Sequence, residues 1–177
     1  MLTIPNLVTL LRLLLAPFVT MAILNGSYPL AIGLFFVAGL TDVIDGLLAR
    51  KMGDTTRFGA YLDPIADKIL LSVIYLALAL MHDIPWWMVG IVFGRDLLIL
   101  AMAAYGLLFT SIRKFPPSVW GKISTFFQIS AALMVMCARA GLPAPVKLAI
   151  WLMLAATLWS GLHYTWRGVV LLRSGTN

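Results

Sequence analysis

Six apolar runs, each long enough to cross a lipid hydrocarbon core, dictate what this chain can fold into. A helical span needs about 20 apolar residues. The segments 6–25, 29–50, 58–81, 85–111, 118–139 and 145–172 meet that length. Turn chemistry separates them: Asn25-Gly26-Ser27, Gly53-Asp54-Thr55-Thr56, His82-Asp83-Ile84-Pro85, Pro116-Pro117-Ser118 and Gly141-Leu142-Pro143. Pro5, Pro85 and Pro145 fall near helix starts, where a missing N–H costs little. Pro17 and Pro64 fall inside their runs, where a kink or local break is expected. The expected fold is an all-α integral membrane protein, a bundle of six transmembrane helices forming one domain over residues 1–177.

Charge content agrees. Only 11% of the residues are charged and 62% are hydrophobic, against roughly 25% charged in a soluble domain. The net charge of +6 does not signal nucleic acid, because the basic residues are unclustered and sit mostly at the ends of apolar runs. That placement suits anchoring near lipid headgroups. If the spans alternate, Arg50, Lys51, Arg57, Arg113, Lys114, Arg167 and Arg173 share one side, and Arg139 and Lys147 the other. The positive-inside rule then makes both termini cytoplasmic, along with the connection between the second and third spans. Cys137 stands alone, which leaves no disulfide framework and assigns it to packing. Arg12 interrupts the first run and no cleavage site follows, so the N-terminal segment reads as retained. A short chain with no transit peptide points to the cytoplasmic membrane of a bacterium.

The unusual chemistry lies beside that connection. All seven acidic residues are aspartates. On a helix, positions i, i+3, i+4 and i+7 share a face, and Asp42, Asp45, Gly46 and Ala49 fill those positions. Gly59, Asp63 and Asp67, spaced by four, repeat the device on the next run. A short turn makes the two runs an antiparallel hairpin, and at about 1.5 Å per residue all four carboxylates can meet near the cytoplasmic boundary. Arg50 and Lys68 offset two charges at most, and unpaired ionised groups in apolar surroundings are very costly. Cations or protons must balance the rest. Oxygen donors without nearby His or Cys favour Mg2+, Mn2+ or Ca2+ over zinc. Gly46, Ala49 and Gly59 open room for a bulky, phosphate-bearing ligand, although small residues at such spacing also serve close helix packing alone.

The segment 42–67 resembles the signature of the CDP-alcohol phosphotransferases: D-x-x-D-G-x-x-A-R, eight residues, then G-x-x-x-D-x-x-x-D. Asp42, Asp45, Gly46, Ala49, Arg50, Gly59, Asp63 and Asp67 fill every fixed position. The resemblance implies a membrane enzyme that transfers a phosphatidyl group from CDP-diacylglycerol to an alcohol and releases CMP. It implies two divalent ions, Mg2+ or Mn2+, on Asp42, Asp45, Asp63 and Asp67, with Asp67 also taking the proton of the acceptor hydroxyl. Asp42, Gly46, Ala49, Arg50 and Gly59 would hold the CDP moiety, and a homodimer is expected.

Beyond the signature the chain resembles the branch that makes anionic glycerophospholipids. The opening Ile4-Pro5-Asn6-Leu7-Val8-Thr9-Leu10-Leu11-Arg12 and Leu62-Asp63-Pro64-Ile65-Ala66-Asp67-Lys68 look like phosphatidylglycerophosphate synthases and CMP-forming cardiolipin synthases. The former usually carry a second Arg about two turns after the fourth-span Arg, where Ala101 to Ala104 offers none, and a Lys where Ser124 stands. The loss of two cations favours phosphatidylglycerol over glycerol 3-phosphate as acceptor. Arg95 and Lys122 remain to hold the acceptor phosphate, the other reading of Arg95-Asp96 being a local ion pair. Arg113 and Lys114, together with His163-Tyr164 and the tryptophans at 86, 87, 151, 159 and 166, suit interfacial belts. A cation-coupled transporter is the remote alternative, and no internal duplication supports it.

Overall fold

A computed structural model describes residues 4–52, 57–109 and 119–174, with side chains described for 10–41, 68–102 and 119–166. Within them the chain forms six helices: α1 Ile4–Leu24, α2 Tyr28–Met52, α3 Arg57–Leu80, α4 Trp86–Phe109, α5 Val119–Arg139 and α6 Val146–Ser174. Each expected run becomes one helix, with ends within two residues of the sequence reading. Pro17 and Pro64 lie inside α1 and α3, and neither proline ends its helix. Pro85 and Pro145 stand immediately before α4 and α6, where the first helical turn has no use for their missing N–H. Among the described residues, Val119–Arg139 and Val146–Trp166 are long and apolar enough to cross a membrane. Leu10–Leu24, Tyr28–Thr41 and Lys68–Leu80 are shorter apolar stretches.

The chain divides into two compact units, residues 1–84 with 135–144, and residues 85–134 with 145–177. In the first unit α1 packs against both α2 and α3. Its buried face repeats at helical spacing through Ala16, Val19 and Ile23 on α1 and through Ala31, Phe35 and Ala38 on α2. Alanines at the contact let helix backbones approach closely, which supplies packing where lipid would supply no hydrophobic drive. Arg12 stands one turn before Ala16 on the same buried face and is 1% exposed.

Three turns of this unit close in the same way. The N–H groups of Gly26 and Ser27 reach back to the carbonyls of Ile23 and Ala22. His82 and Asp83 bond Ala79 and Leu78, and Gly141 and Leu142 bond Ala138 and Cys137. This is the Schellman pattern, which satisfies the last carbonyls of α1, α3 and α5 and needs a left-handed residue after the cap. Gly26 at φ 71° and Gly141 at φ 82° meet that need without strain, whereas His82 carries a side chain at φ 58°.

In the second unit α4 packs on α6. Met88 and Val92 on α4, with Ala149 and Met153 on α6, form its apolar part. Further along the same helical registers the buried positions turn polar.

Candidate functional site

The backbone sets the signature residues in unbroken helix. Asp42, Asp45, Gly46, Ala49 and Arg50 belong to α2, and Gly59, Asp63 and Asp67 to α3. The i, i+3, i+4, i+7 register expected for the aspartates is therefore the register of the backbone. The side chains of these eight residues lie outside the described residues, as do Arg113 and Lys114. Among the described residues no cluster of three His, Cys, Asp or Glu side chains could hold a metal.

Two described cations lie in the same unit as these residues. Arg12 is fully buried on α1, and the Lys68 Nζ, one residue beyond Asp67, is shielded from solvent. Both are engaged by neighbours. Arg12 lies twelve residues before the end of α1, and position 40 lies twelve residues after the start of α2. At about 1.5 Å per residue the short turn between them brings Arg12 to the depth of position 40, half a turn from Asp42.

The second unit holds the other candidate residues, and here the side chains are described. Arg95, 9% exposed, points its guanidinium at Ser160 of α6. Its Nη2 and Nε donate to the Ser160 hydroxyl oxygen at 2.7 and 3.3 Å. Its Nη1 donates to the Asp96 carboxylate at 2.7 Å, so the ion pair named as one reading of Arg95-Asp96 does form. Gly121 of α5 borders the same guanidinium. A Cβ there would lie 3.3 Å from the Arg95 Nη2 and 3.3 Å from the Tyr164 hydroxyl. Lys122, the next residue, is exposed. The fold thus brings Arg95 against the residue before Lys122, and the Lys122 side chain itself remains accessible.

Burial of a guanidinium among apolar helices is costly unless its donors are met and its charge is balanced. Ser160, wholly buried, meets one edge of the group, and Asp96, with a side chain 21% exposed, balances its charge. In the same unit Ser124, Gln128 and Thr157 form a second buried polar group. The Gln128 Nε2 donates to the Ser124 and Thr157 hydroxyls at 3.4 and 3.3 Å, and those hydroxyls lie 3.2 Å apart. Ser124, the position read from the sequence as a missing lysine, serves this network.

Ser160, Gly121 and Tyr164 were not singled out by the sequence as neighbours of Arg95. Tyr164, expected in an interfacial belt, is drawn into this cluster. The available signal was the small pair Ser160-Gly161 in α6, since Gly161 leaves room for the Arg95 stem, 3.8 Å from where its Cβ would stand. Trp86, Trp87, Trp151, Trp159 and Trp166 are all more than half exposed, and Trp159 meets Trp120 edge-on at 5.7 Å.

Comparison with known proteins adds an independent line. A family model described as CDP-alcohol phosphatidyltransferase matches residues 2–161. A probable cardiolipin synthase (CMP-forming) of Drosophila melanogaster is 33% identical over 132 residues, 74% of this chain and 40% of the fly protein. A probable phosphatidylglycerophosphate synthase of Mycobacterium tuberculosis is 34% identical over 178 residues, 93% of this chain and 80% of that protein. A CDP-diacylglycerol–glycerol-3-phosphate 3-phosphatidyltransferase of Haemophilus influenzae is 36% identical over 169 residues, 91% of this chain and 90% of that protein.

Proposed function

The chain belongs to the CDP-alcohol phosphatidyltransferase family, and on that footing we propose that it transfers a phosphatidyl group from CDP-diacylglycerol to phosphatidylglycerol, releasing CMP. It is an enzyme, which sets the transporter reading aside. The observation that carries the reaction is the complete aspartate signature on two consecutive helices.

In this reading residues 1–177 act as one six-span domain in the bacterial cytoplasmic membrane, with both termini and the active site on the cytoplasmic side. The enzyme works as a homodimer. The donor set of Asp42, Asp45, Asp63 and Asp67, all hard carboxylates, fits two divalent ions such as Mg2+ or Mn2+. Bound there, such ions would neutralise the pyrophosphate and the leaving CMP. Asp42, Gly46, Ala49, Arg50 and Gly59 seat the CDP moiety. Asp67 takes the proton of the acceptor hydroxyl. The acceptor oxygen bonds to the phosphorus that bears diacylglycerol as the bond from that phosphorus to the CMP oxygen breaks. Atoms and charge balance with no covalent enzyme intermediate.

The acceptor rests on fewer residues. Arg95 and Lys122 are the cations proposed to hold its phosphate, and Asp96 already offsets part of the Arg95 charge. That balance suits the single charge of a phosphodiester. Glycerol 3-phosphate is the second reading, favoured by the relatives that share over nine tenths of this chain's length. Purified enzyme given CDP-diacylglycerol and Mg2+ separates the two. CMP release with phosphatidylglycerol alone is the expected outcome. Release with glycerol 3-phosphate alone would establish the second reading, and release with neither would overturn both.

A further inference from the structure

We infer that Ser160 is a positioning residue for the acceptor, acting through Arg95 to present two guanidinium N–H groups to the acceptor phosphate. The inference rests on the proposed role of Arg95 and extends it to a residue of another helix.

A guanidinium has five N–H donors in a fixed planar fork. Three are engaged here: Nε and one N–H of Nη2 by the Ser160 hydroxyl oxygen, and one N–H of Nη1 by Asp96. That leaves one N–H on each terminal nitrogen to donate to a phosphate oxygen. Ser160 uses both lone pairs of its oxygen on the Nε–Nη2 edge. Its oxygen is thereby committed as an acceptor across to α4.

Three features hold the arrangement. Ser160 is 0% exposed, so water does not compete for its oxygen. Gly161 gives the Arg95 stem its path along α6, and Gly121 leaves the space in which Nη2 and the Tyr164 hydroxyl meet α5. Asp96 stands on α4 beside Arg95 itself and fixes Nη1 locally. Ser160 is thus the interhelical contact that sets the plane of the guanidinium. Without its hydroxyl, Arg95 keeps its charge and its ion pair but loses that plane.

The test uses the full-length enzyme in detergent micelles, with CDP-diacylglycerol and whichever of phosphatidylglycerol or glycerol 3-phosphate supports CMP release. Ser160→Ala is expected to raise the acceptor KM about tenfold, the scale of one charge-assisted hydrogen bond, with the KM for CDP-diacylglycerol unchanged. Ser160→Thr, which keeps the hydroxyl, is expected to restore most of the loss. Gly121→Ala, which presses on Nη2 from α5, is expected to shift the acceptor KM in the same direction, and it reads the contact if Ser160→Ala does not fold. Equal changes in both KM values, or a loss of thermal stability with unchanged kinetics, would overturn the positioning role. So would an unchanged acceptor KM in Ser160→Ala while Arg95→Lys raises it, which leaves the reading of Arg95 intact. An unchanged acceptor KM in both variants would overturn the two together.

Discussion

A carboxylate and a carboxamide have nearly the same shape and differ by a full charge. Asp63→Asn therefore removes one hard ligand from the proposed metal cluster while leaving the helix its side-chain volume. CMP release should fall by at least about a hundredfold, the upper end of what loss of a group supporting a metal ligand costs. Thermal melting in detergent should stay within a few degrees of the parent. Full activity in this variant would remove Asp63 from the metal site. The aspartates were legible in the sequence because their information is local: a spacing of three and four on a helix puts groups on one face whatever else the fold does. Ser160 was not legible, because its significance arises from Arg95, 65 residues away, and no periodicity marks that pairing. Arg95 itself stood out only as a charge in an apolar run, and the three bonds that define it belong to the packed helices.

Helices read well for a related reason. Each is one apolar run, and most end at Gly or Asn, so their limits are written where they end. What joins one helix to another is less visible. The turn after α3 carries Asp83, whose side chain is wholly buried, where it accepts a hydrogen bond from the Tyr28 hydroxyl at 2.6 Å and pairs with Arg139 at the end of α5. One carboxylate thereby gathers the start of α2, the end of α3 and the end of α5. The sequence offered His82-Asp83-Ile84-Pro85 as turn chemistry, and Asp83 does more than turn the chain. Asp83→Ala should lower stability by about 2 kcal/mol, since two partners lose a charged acceptor and one of them is buried. Arg139→Ala should cost less, about 0.5 kcal/mol, because its side chain is half exposed and water replaces the lost partner. Thermal denaturation in one detergent would rank them, and equal losses would show that Tyr28 contributes little.

At the scale of the molecule, many large apolar side chains among the described residues are exposed. Phe36, Leu97, Trp151 and Trp166 are each at least two thirds exposed. A surface of this kind suits a bilayer rather than water. The basic residues supply the direction. A cysteine-reactive probe that cannot cross membranes reads it, using Ser27→Cys and Asp54→Cys in a Cys137→Ala background. In intact cells the probe should label the first and reach the second only after lysis; the reverse pattern would invert the proposed orientation. Arg12 has a consequence for how such a molecule is made. As α1 leaves the ribosome before α2 and α3, it carries into the membrane a guanidinium that costs about 2.5–3.5 kcal/mol at the centre of a lone span. In the folded protein that group is hidden within the unit where α1 packs on α2 and α3. By itself α1 is thus a poor guest of lipid, and its guanidinium is sheltered once α2 and α3 have been synthesised behind it, so insertion of α1 and packing of the two helices that carry the aspartates are expected to be coupled.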